Sequence, residues 1–156
     1  MGQVMDEREL LIGRIIAAPA DKLFRCWTEA ELLKQWFCPE PWRVSHAELD
    51  VRPGGSSLVV MLSPQGQEFP NRGVYLEVEK NRKIVLTDAY TEAWQASEKP
   101  FMTSIITFDD MRDGSTRYTA RVLHWSKADR KAHEEMGFHE GWGKATEQLA
   151  KLAAGL

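Results

Sequence analysis

The C-terminal stretch Gly137-Phe-His-Glu-Gly-Trp142-Gly-Lys-Ala145-Thr-Glu-Gln-Leu149-Ala-Lys-Leu152-Ala-Ala-Gly-Leu156 sets the architecture. Its apolar residues Phe138, Trp142, Ala145, Leu149, Leu152 and Leu156 are spaced 4, 3, 4, 3 and 4 apart, the period of a single helical stripe. Gly137 separates this helix from a polar helical segment, Lys127 to Met136, which opens on the cap pattern Ser126-Lys-Ala-Asp129. One apolar stripe on a long helix has to be buried against something, and the residues before it supply a sheet.

From Trp42 to Trp125 the chain reads as strands and turns. Trp42 to Val51 runs into Arg52-Pro-Gly-Gly55, a turn or bulge signal. Leu58 to Leu62 is a short apolar strand before the tight turn Ser63-Pro-Gln-Gly66. Gly73 to Val78 and Ile84 to Thr91 flank the polar link Glu79-Lys-Asn-Arg82. Phe101 to Phe108 and Thr116 to Trp125 flank Asp109 to Ser115, where Asp113-Gly114 is a hairpin signal. In the last strand Tyr118, Ala120, Val122 and His124 share one face, with Arg117, Thr119 and Arg121 on the other. Short links between successive strands mean an antiparallel meander.

Ahead of the sheet, Glu7 to Ala17 reads as a strand ending at Pro19. Ala20 to Trp27 reads as a short helix, and Thr28-Glu-Ala-Glu31 has the capping-box spacing for a second one, stopped by Cys38-Pro-Glu-Pro41. The expected fold class is α+β. About seven antiparallel strands form a curved sheet wrapped around the long C-terminal helix, with two short helices after the first strand. No repeat, linker or low-complexity tract divides the chain, so residues 1–156 read as one domain with its core at about 8–153.

The stretches Ala18-Pro-Ala-Asp-Lys-Leu-Phe24, Trp27, Leu32 to Trp36, Asp50-Val-Arg-Pro-Gly-Gly55, Gly73-Val-Tyr-Leu-Glu77, Ser104-Ile-Ile-Thr-Phe108, Gly114-Ser-Thr-Arg-Tyr118, His133 to Gly137 and Gly141-Trp142 resemble the START-like, helix-grip superfamily (the SRPBCC group). Within it, the chain is similar to small bacterial proteins related to the C-terminal domain of the activator of the 90-kDa heat-shock protein ATPase. The resemblance implies a helix-grip fold with a cavity between sheet and helix. The superfamily includes lipid and hormone binders, polyketide cyclases and ring-hydroxylase subunits, and the eukaryotic activator stimulates a chaperone. Fold of this kind does not select among those roles.

Composition narrows the choice. Net charge is -3, which argues against bulk electrostatic binding to nucleic acid or an anionic membrane. No apolar run reaches the roughly 18 residues of a membrane span. Met1 to Arg14 lacks the pattern of a secretory signal, and position 6 is Asp where a Gly2 myristoylation motif calls for Ser or Thr. Two cysteines, Cys26 and Cys38, outside any Cys-x-x-Cys setting, read as reduced thiols and a cytoplasmic location.

The functional signal is aromatic and methionine side chains with a few titratable groups. Trp36, Phe37, Trp42, Met61, Tyr90, Trp94, Met102, Phe138 and Trp142 suit the walls of an apolar or aromatic ligand site, with Ala89 to Trp94 and Lys99 to Met102 at its mouth. His124 and His139 are candidates for the same cleft, and His46, Glu48, Asp88 and His124 for acid–base work if they face inward. His133 reads as solvated or satisfied. His133 and His139 are six apart across a glycine break, and no His-Glu-x-x-His occurs, so no metal is expected. No nucleophile motif and no phosphate-cradling loop is present, and no cofactor is implied. The residues favour a small-molecule binding module over an enzyme. The alternatives are a co-chaperone partner, self-association into a homodimer through sheet edges or exposed aromatics, and a cyclase or dehydratase.

Overall fold

The computed structural model describes residues 7–92 and 94–156. The Gly2 reading, and Ala93 within the expected mouth loop, lie outside them. The elements run β1 (Glu9–Ile16), α1 (Ala20–Thr28), α2 (Ala30–Leu33), β2 (Arg43–Leu49), β3 (Ser56–Leu62), β4 (Glu68–Glu79), β5 (Lys83–Thr87), β6 (Tyr90–Glu92), β7 (Gln95–Ala96), β8 (Met102–Asp110), β9 (Thr116–His124), α3 (Lys127–Glu135) and α4 (Phe138–Ala154). Seven strands form one antiparallel sheet in the order β1-β9-β8-β5-β4-β3-β2, and β6 pairs with β7 in a separate small hairpin. This is the helix-grip arrangement, with α4 and α1 packed on the inner face.

The core follows from strand alternation. Tyr118, Ala120 and Val122 of β9, Ile106 and Phe108 of β8 and Ile84 of β5 all point inward and are buried. They meet Leu23, Phe24 and Trp27 of α1 and Ala145, Leu149 and Ala153 of α4. Gly137, at φ 97°, turns the chain between α3 and α4, a left-handed conformation that costs glycine nothing. Gly55 is required for a different reason. A Cβ there would sit 1.9 Å from the Asp50 carbonyl oxygen, in the tight turn that brings Gly54 and Gly55 against the Tyr75 backbone.

Three local readings change. Thr28 is the last residue of α1 and donates its hydroxyl back to the Phe24 carbonyl at 2.8 Å, so it caps nothing; α2 starts after the extended Glu29. β4 begins at Glu68, not Gly73. Pro70 is tolerated there because β5 pairs with β4 only from Val74 onward, leaving that side of the strand without a ladder. The expected strand Ile84 to Thr91 divides into β5 and β6 at Asp88, whose Oδ1 accepts from the Phe101 and Met102 amides at 2.8 and 3.0 Å. Asp88 therefore holds the start of β8. The Ser126 cap is made, its hydroxyl accepting from Asp129 N at 3.1 Å.

Candidate functional site

Along α4, Phe138, Ala145, Thr146, Leu149 and Ala153 are buried. Phe138, 1% exposed, packs on Leu10 and Val122, with its ring 5.2 Å from that of Trp142. Trp142 is only half-buried and bridges that cluster to the main core. Leu86 of β5 and Met102 of β8 point to the same side and are also half-buried.

Opposite stands an aromatic wall. Trp27, Trp36 and Phe37 meet edge to face, with centroids 5.0 to 5.9 Å apart. The wall is fastened to α4. Gln148 Nε2 donates to the Trp36 and Cys38 carbonyls at 2.9 and 2.7 Å, and its Oε1 accepts from Glu40 N at 3.0 Å. Lys144 Nζ donates to the Glu40 carbonyl at 2.8 Å. These bonds fix the segment after α2 across the helix and hold Phe37, half-buried, over the inner face.

At the other end of α4 lies an imidazole pair. The Arg8 carbonyl accepts from the ring of His124 at 2.8 Å, and His124 Nε2 lies 2.8 Å from His133 Nδ1. Carbonyl acceptance fixes the proton on His124 Nδ1, so Nε2 accepts from His133 Nδ1–H. Phe101 and Phe138 flank the pair, with ring centroids 5.1 to 5.3 Å away. Burial, then the neighbouring His124, pushes the His133 pKa down to about 4. Beside this pair an outer groove of about 400 Å³ runs between the start of β1 and the α3–α4 junction, lined by Glu9, Leu11, Arg130, Glu134 and His139 among others.

The architecture and the chain agree with a defined family. The family described as activator of Hsp90 ATPase homolog 1-like protein matches residues 17–154. The chain belongs to that family. A crystal structure of a protein from Nitrosomonas europaea is 41% identical over 96% of each chain, with a TM-score of 0.91. A solution structure from Arthrobacter aurescens shares the fold at 18% identity and a TM-score of 0.83, covering 98% of this chain and 91% of that one. A third, titled an AHSA1-like protein from Aeromonas hydrophila, is 13% identical, covers 94% and 92%, and has a TM-score of 0.70. The search among curated proteins found no match.

Within this activator-homologue domain the anticipated residues fall into separate groups. Met102, His124, Phe138 and Trp142 come together at the β8–β9–α4 junction. Trp36 is buried and gives its N–H to the Cys26 carbonyl at 2.9 Å, so it forms the wall's core. Trp42 stacks near Phe69, and both Trp42 and Met61 border the cluster of Leu33, Cys38, Val44 and Val59. Tyr90 and Trp94 touch each other on the small hairpin, where Trp94 is 88% exposed. His46 and Glu48 lie on the surface, 3.2 Å apart. His139, its side chain 57% exposed, faces the outer groove 3.7 Å from Glu134. Among the described residues no group of three metal-ligating side chains converges, and no helix is long and apolar enough to cross a membrane.

His133, read as solvated or satisfied, is satisfied, because α3 folds back to place it on His124. Sequence reasoning missed one residue. Gln148 lies off the apolar stripe and gave no signal beyond its position one residue before Leu149.

Proposed function

We propose that this domain binds a small apolar or aromatic molecule between the inner face of the sheet and the first half of α4. One observation carries the reading. Phe37, Leu86, Met102 and Trp142 occupy inward-facing positions in an otherwise closed core, yet each keeps part of its surface accessible. Apolar side chains on the inner side that stay partly accessible offer surface that an apolar ligand would remove from water. The Gln148 and Lys144 bonds support a pre-formed wall, which lowers the ordering cost of binding.

A chemical role has less support. Both ring nitrogens of His124 are engaged, Asp88 is occupied by two amides, and Glu48 lies at the surface beside His46. Membership in the family named for a chaperone activator supplies no feature that singles out a chaperone contact. The cytoplasmic location is part of the same proposal and rests on two buried, unpaired thiols.

Titration with 1-anilinonaphthalene-8-sulfonate tests the reading. Saturable, one-to-one fluorescence enhancement in the native protein, displaced by aromatic or fatty-acid competitors, is expected. Enhancement that appears only on partial unfolding would overturn it.

A further inference from the structure

The two edges of the sheet are built differently. β2 carries charged, exposed Arg43 and Glu48, shifts register between Val44 and His46, and follows Pro39 and Pro41. Bulges, charges and nearby prolines are the usual protection of an edge strand. β1 has no bulge, and of its two charged residues Glu9 is buried against Arg121 while Arg14 is exposed. The strand runs eight residues in unbroken register with β9, and Leu11 and Ile15 are 40% and 50% exposed on its outer face.

The hydrogen-bonding direction of β1 follows from one contact. His124 N donates to the Arg8 carbonyl at 2.8 Å, so Arg8 and alternate residues after it face β9. Leu11, Gly13 and Ile15 then present their N–H and C=O groups outward, and among the described residues nothing bonds to them. Glu7 confirms the direction, since its carbonyl points out to Arg130 Nε at 2.9 Å.

Gly13 sits at the centre of this edge. A Cβ there would meet Tyr118 O at 3.7 Å and Thr119 Oγ1 at 3.9 Å, ordinary contact distances, so this chain's own packing does not demand glycine. Glycine inside a strand without a bulge marks close approach of another backbone.

The geometry points to a second copy of this chain, pairing β1 with β1 antiparallel about a two-fold axis at Gly13. The odd residues on each edge then exchange backbone bonds. Leu11 lies opposite Ile15 of the other copy, twice, giving a four-residue apolar strip on the outer face. On the inner face Arg14 of one copy lies opposite Ile12 of the other. Ile12 borders Gly143 of α4, and Glu140 and Glu147 are one helical turn either side of Gly143. Arg14, Glu140 and Glu147 are exposed and make no ion pair among the described residues. The pairing brings the unmatched cation of each copy to the unmatched acids of the other, which is what favours a second copy over an arbitrary extended peptide.

Sedimentation velocity over a wide concentration range tests this. The wild type should dimerise reversibly. Ile15→Lys and, separately, Arg14→Glu should each weaken the dimer at least tenfold with circular dichroism unchanged. Combining Arg14→Glu with Glu140→Lys and Glu147→Lys should recover most of the loss. A wild type that stays monomeric to its solubility limit overturns the proposal and leaves the edge to a different protein's strand. A dimer indifferent to both single variants also overturns it, because another surface is then in use.

Discussion

His124 Nε2 and His133 Nδ1 share a hydrogen bond of 2.8 Å that ties the end of β9 to α3. It matters because α3 buries no residue of its own. The helix is held by this bond, by the Ser126 cap and by Arg130, whose Nε donates to the Glu7 carbonyl.

The pair predicts an acid dependence of stability. His133 takes up its proton near 6.5 in the unfolded chain and near 4 in the folded one. Between those values the unfolded chain holds more protons, so the contribution is complete above about pH 6.5, declines as pH falls and is lost below about pH 4. It amounts to up to about 3 kcal/mol, reduced by the ring's partial exposure. Urea unfolding from pH 7 to 4.5 should show this slope, and His133→Asn should flatten it.

Gln148 holds three backbone groups of the segment between α2 and β2. Gln148→Leu should cost about 2–3 kcal/mol in urea unfolding at pH 7, because carbonyls of Trp36 and Cys38 lose their donors. An effect under about 0.5 kcal/mol would mean that the wall is held by packing alone.

The neighbouring glycines separate two kinds of strain. Gly54 has φ 86° with nothing within 4 Å of a Cβ, so Gly54→Ala should cost only about 1 kcal/mol. Gly55→Ala must push a methyl group into the Asp50 carbonyl, and should cost more than about 2 kcal/mol or prevent folding. Melting temperatures of the two variants give the comparison.

Burial pushes the Cys26 and Cys38 thiols up to about 11. At pH 8 both should be protonated and closed to a thiol-specific disulfide reagent in the native protein. Both should react once the protein is unfolded. Rapid labelling of either in the native state would contradict the packing around α1 and α2.

Much of the fold was legible because period and punctuation agree. The 4-3 stripe of α4, the Gly137 break and the alternation of Tyr118, Ala120 and Val122 each map onto a buried face. Thr28 misled because a hydroxyl in a capping-box pattern can equally bond back to its own helix. The site was less legible. Trp36 and Trp142 look alike in sequence, but one is sealed behind α2 and the other only half covered by the sheet. That difference depends on how far two separate elements stand apart, which no local pattern encodes. His133 needed α3 to fold back on β9, a tertiary event.

The most direct test of the proposed binding site uses the methionine methyl groups. Met102 is half-buried beside Phe138 and Trp142, while Met111 and Met136 are exposed, at 40% and 79%, away from α4's inner face. With methyl-labelled methionine and an aromatic ligand such as naphthalene sulfonate, the Met102 resonance should shift saturably. Met111 and Met136 should stay in place, and Trp142→Ala should weaken the shift. Shifts confined to Met111 or Met136, or a Met102 signal that does not move at saturation, would contradict a ligand site between the sheet and α4.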